Sequence, residues 1–139
     1  MIYLTYILSN ERLTTVVQST YELIGGEEMV RKIVNNFYPK VQQHPDLKEL
    51  FPEHIEPVME KQFMFLSQFF GGPALFTEQY GHPMMRARHM PFKITEKRAL
   101  AWLACMKEAL KETQLAPDIQ SHVIERLSGP AFHFINSDE

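Results

Sequence analysis

From Glu27 to Gln43 the apolar residues Val30, Val34, Phe37, Tyr38 and Val41 recur at intervals of three and four, which lays them on one face of a helix. Glu27 and Glu28 sit at the end where a helix is positive, which favours a start there. The same spacing runs from Pro57 to Phe70 through Val58, Met59, Gln62, Phe63, Leu66 and Phe69, until Gly71-Gly72-Pro73 stops it. A third helix is expected from Glu96 to Glu112, capped by Thr95, with a stripe of Ala99, Trp102, Leu103, Met106 and Leu110. A fourth opens at Asp118 after Pro117 and carries Ile119, Val123 and Leu127 toward Phe134, with a kink expected at Pro130. The stretch YELIGG, residues 21–26, adds one turn more. No run of five or more residues alternates, so the pattern predicts an all-α protein.

Between the second and third helices lie 25 residues, Gly71 to Thr95, with little long-helix pattern. A connection of that length inside a compact domain usually carries function. It contains GHPMMRARHMPF, residues 81–92. Pro83 suits the first position of a helix and Pro91 blocks continuation, so residues 83–90 should make two turns with His89 in the last. The His89 ring can then donate to a backbone carbonyl one turn back, near Met85, leaving its other nitrogen as an oriented lone pair for a metal. Arg86 and Arg88 disfavour protonation of the imidazole and can bind carboxylates. His82, before Pro83, suits an N-cap. His44, His54, His122 and His133 stand in polar or terminal contexts and are expected at the surface. No HxxxH or HExxH spacing points to a bare metal ion.

Three of the helices each turn one hydrogen-bonding group toward the apolar side: Tyr38, Gln62 and Trp102. Singly, a tyrosine or tryptophan there reads as core with its polar tip at the rim. A buried glutamine is rarer, since an unpaired amide costs about 1–3 kcal/mol. Together, three donors in an apolar cavity suit a small ligand with partial negative charge, as O2 acquires on ferrous iron. One histidine, arginines for carboxylates and apolar walls suit haem. For His89 alone, the simpler reading is an imidazole stabilised by the negative end of its helix.

Composition narrows the partners. The 139 residues suit one domain, and 45% apolar with 22% charged residues is enough to bury a core. A net charge of −3 argues against nucleic-acid binding and gives no reason to expect a membrane surface. The apolar start, MIYLTYIL, lacks the leading positive charges of a secretory signal and is too short to cross a bilayer, so a cytoplasmic protein is expected. Cys105 is the single cysteine and reads as a small core residue.

The segments NNFYPKV, HPDLKELFP, QFMFLSQFFGGP, GHPMMRARHMPF and AWLACMKEAL resemble the truncated (2-on-2) haemoglobins, specifically the group II or O-type bacterial branch, from Tyr21 to Ile135. The resemblance implies a truncated globin fold, a 2-on-2 helical sandwich around one haem, over residues 21–136. It leaves residues 1–20 as an extension, either disordered or partly helical. His89 matches the proximal iron ligand and Arg88 the arginine that pairs with a haem propionate, a role Arg86 could share. Tyr38, Gln62 and Trp102 match the distal positions, and Phe51 the haem-packing aromatic. Met90, Phe92, Phe63 and Leu66 are further candidates for porphyrin contact. Val58 stands at the position of the distal histidine in conventional globins and cannot hydrogen-bond. Some relatives carry a tyrosine where Phe51 stands.

The implied protein binds O2, NO and CO at a five-coordinate ferrous iron, with high oxygen affinity, as a carrier, store or sensor. With one cysteine, C-x-x-C-H attachment is impossible, so the cofactor would be non-covalent haem b. The alternative is a haem enzyme, a nitric oxide dioxygenase or peroxidase served by an external reductase. More remote is a cofactor-free helical interaction domain. A monomer or homodimer fits either haem reading.

Overall fold

The computed structural model describes residues 3–9 and 12–138. Helix α1 (Thr20–Ile24) is capped at its start by Ser19, whose Oγ accepts from Glu22 N at 3.1 Å. It ends at Gly25, whose φ of 115° lies in the left-handed region that glycine adopts without strain. Helix α2 (Gly26–Gln43) follows directly and buries Val30, Ile33, Val34, Phe37, Tyr38 and Val41. Helices α3 (Glu56–Phe69), α6 (Glu96–Lys111) and α7 (Pro117–His133) complete the long elements. α2 packs on α3 and on α6, and α6 packs on α7. Two helix pairs are thereby layered around one core, in which Phe37, Leu66, Met106 and Leu110 are almost wholly enclosed.

All four long helices lie within two residues of the expected bounds, and Thr95 caps α6 by accepting from Arg98 N at 3.1 Å. The 25-residue connection breaks into α4 (Leu75–Tyr80) and α5 (Met85–His89). A single 3₁₀ turn, Lys48–Leu50, bridges α2 and α3. The junction of α1 with α3 is tight. Tyr21 N donates to Phe70 O at 2.8 Å, and a Cβ on Gly72 would stand 2.6 Å from the Tyr21 ring.

Three local expectations are corrected. Pro83 is not the first helical residue: Met84 takes a left-handed conformation, φ 46°, so α5 begins at Met85, and neither Pro83 nor His82 acts at its cap. Residues 3–9 and 12–18 of the extension are strands rather than an added helical turn. Strands β1 (Tyr3–Ser9) and β2 (Arg12–Gln18) pair antiparallel, from Tyr3 opposite Gln18 to Ser9 opposite Arg12. The consecutive β-branched residues Thr14 to Val17 favour extended backbone over helix. His122 is not at the surface. It is buried, with Nε2 2.8 Å from the buried Thr20 Oγ1, and this contact ties α7 to α1. Burial lowers its affinity for a proton. Among the described residues no helix is long and apolar enough to cross a membrane.

Candidate functional site

A cavity, partly open to solvent, lies between α3, α5, α6 and α7. Helix α3 contributes Gln62, Phe65, Leu66 and Phe69, and α6 contributes Arg98, Ala99 and Trp102. Leu127, Pro130 and Ala131 of α7 line it with Phe134 just beyond, and Leu47, Leu50, Phe51 and Ile94 come from connectors. Met85 and His89 face it from α5. The lining is mostly apolar, as a small-molecule site requires.

His89 is half-buried, and its Nδ1 lies 2.6 Å from Met85 O. A carbonyl can only accept, so Nδ1 carries a proton, and in the neutral ring Nε2 is the nitrogen with the lone pair. Phe134 stacks on the ring, centroids 4.3 Å apart and planes 12° from parallel, which fixes the tilt of the imidazole. The distal candidates are arranged on other walls. Trp102 meets Phe37 edge-on at 5.1 Å, Phe37 meets Tyr38 at 4.9 Å, and Tyr38 meets Phe51 at 5.9 Å. Tyr38 is only 2% exposed, and burial pushes its ionisation far above the usual phenol range, so it stays a donor. The side chains of Tyr38, Gln62 and Trp102 have no hydrogen-bond partner among the described residues.

His89, Gln62, Trp102, Phe51 and Leu66 thus border one cavity, and Tyr38 adjoins it through Phe51. The remaining candidates lie elsewhere. Arg88 donates to Pro83 O at 2.5 Å and Tyr80 O at 3.4 Å and covers the Phe76 ring, so it braces its own segment. Arg86 borders a shallower hollow behind α5, with His82 and His133. Val58 is half-buried on α3, and Phe63 is core beneath the Arg31 guanidinium. Met90 and Phe92 are exposed, at 57% and 47%.

Arg98 was missed. Its guanidinium donates to Asp46 O at 3.1 Å and Lys93 O at 2.7 Å and pairs with Glu49 at 3.6 Å, holding two connectors against the cavity rim. Its signal was positional: it stands four residues before Trp102, on the same face of α6. Phe134 was placed on the last helix, but nothing local marked it as the partner of His89.

The donor set fits a metal carried in its own ring rather than a bare ion. One imidazole faces apolar walls, and among the described residues no group of three or more His, Cys, Asp or Glu is arranged to hold an ion. Fold and cavity together define a globin of the shortened type. The chain belongs to the bacterial-like globin family, whose model matches residues 19–136. It is 47% identical to the group 2 truncated haemoglobin YjbI of Bacillus subtilis over 119 residues, covering 86% of this chain and 89% of that one. The crystal structure of the group II truncated haemoglobin from Bacillus anthracis superposes with a TM-score of 0.84 at 46% identity, covering 87% of this chain and 98% of the other. The truncated oxygen-avid haemoglobin from Bacillus subtilis gives 0.81 at 46% identity, over 86% and 100%. Membership of the globin family implies a haem cofactor and the binding of diatomic gases.

Proposed function

We propose that this globin holds a non-covalent haem b through His89 and binds O2, and with it NO and CO, with high oxygen affinity. The observation that carries the reading is the His89 imidazole, its Nδ1 committed to Met85 O at 2.6 Å and its Nε2 left for iron beside an apolar cavity. When bound, haem supplies a ferrous centre at which a diatomic ligand gains partial negative charge. Tyr38, Gln62 and Trp102 each bring a donor with no other partner among the described residues. A hydrogen bond to a charged partner contributes about 1.5–3 kcal/mol, so two would slow ligand release on the order of a hundredfold or more. The oxygen avidity named for the Bacillus subtilis relative agrees with this direction. Phe51, Leu66 and Trp102 give the same space largely apolar walls.

Retention that strong suits reaction of the bound ligand more than delivery. The second reading is therefore a nitric oxide dioxygenase or peroxidase supplied with electrons by a separate reductase. Stopped-flow O2 release tests the first reading. Tyr38→Phe and Trp102→Phe should each speed release by about tenfold or more with haem content unchanged. Unaltered release in both variants would show the donors to be misassigned. Consumption of nitric oxide with a supplied reductase separates an enzyme from a store or carrier.

A further inference from the structure

We infer that Asn136 is a positioning residue for His89, acting on the turn that follows it; this rests on the reading of His89 as the haem ligand. Helix α5 has five residues and ends at His89, two residues before Pro91, too short to hold its own terminus rigidly. The segment 89–94 is held from outside instead. Asn136 Oδ1 accepts from Ile94 N at 2.9 Å, while Nδ2 donates to Phe92 O at 2.8 Å and His89 O at 3.3 Å. The backbone N–H groups of Asn136 and Ser137 both donate to Ile94 O, at 2.9 and 3.1 Å. Arg98 takes Lys93 O from the α6 side. Two residues before Asn136, Phe134 stacks on the His89 ring.

Face and backbone of the histidine are therefore both fixed by the few residues after α7, more than forty positions downstream in the chain. The amide of Asn136 is used at both ends, as donor to two carbonyls and acceptor from one N–H. No other side chain type of that size satisfies all three groups. Aspartate keeps the acceptor but turns a negative oxygen toward the two carbonyls.

The test uses the haem-loaded ferrous protein without gas. Two quantities are read: the iron–histidine stretching band in resonance Raman, and the rate of haem transfer to excess apomyoglobin. Asn136→Ala and Asn136→Asp should both shift or broaden the band and speed transfer by about tenfold. Gly72→Ala, which disturbs the distant α1–α3 junction, controls for lowered stability and should leave the band in place. The inference is overturned if the Asn136 variants match the wild type, or change no more than Gly72→Ala does. His89→Ala distinguishes this from failure of the haem reading. A wild-type band that is lost in His89→Ala, with the Asn136 variants unmoved, sinks only the positioning role. Absence of the band in the wild type sinks both.

Discussion

His122 illustrates how one side chain acquires a property that its neighbours in sequence do not predict. Its Nε2 shares a hydrogen bond with Thr20, and burial lowers its pKa from the ordinary value near 6.5. The unfolded chain then binds a proton more readily than the folded one between the lowered pKa and about 6.5. The neutral ring's contribution to stability is complete above about pH 6.5 and is lost as pH falls through the lowered value. Urea midpoints measured across that range should fall on acidification, and His122→Gln should flatten the fall. An equally steep fall in the variant would rule the residue out. His89 was legible because its acceptor, Met85 O, lies one turn away. His122 was not, because Thr20 is 102 positions distant. Arg98 was half legible, its spacing to Trp102 visible and its backbone acceptors not.

Among the elements, the long helices follow directly from their apolar stripes, since period 3.6 and burial on one face are the same constraint. The short pieces do not. α5 starts at Met85 rather than Pro83 because Met84 turns left-handed, a choice no local propensity favours. The strands β1 and β2 lack the alternation that marks a half-buried strand, and only the β-branched run Thr14 to Val17 signals extended backbone there. The α1–α3 junction depends on the glycine at position 72, where any Cβ would press on the Tyr21 ring. Gly72→Ala should lower stability by about 1–3 kcal/mol, the usual cost of overpacking. Chemical denaturation reads it directly, and an unchanged midpoint would mean that Tyr21 moves aside freely.

At the scale of the whole molecule, the cavity is a product of assembly. α3 and α6 pack on α2, and α7 packs on α6, while α5 is the short element set against their open side. That arrangement brings the His89 imidazole to the same cavity as Gln62 of α3 and Trp102 of α6, with Tyr38 of α2 adjoining it through Phe51. The walls between them, especially Phe65, Phe69 and Pro130, come from residues that no motif in the sequence marks as part of a site. The central claim is that His89 binds haem iron, and its most direct test is the absorption spectrum of the purified protein supplied with haem. A stoichiometric Soret band that His89→Ala abolishes or shifts, in a variant that remains helical, is the result expected. A wild-type protein that takes up no haem, or a His89→Ala spectrum identical to wild type, would contradict it.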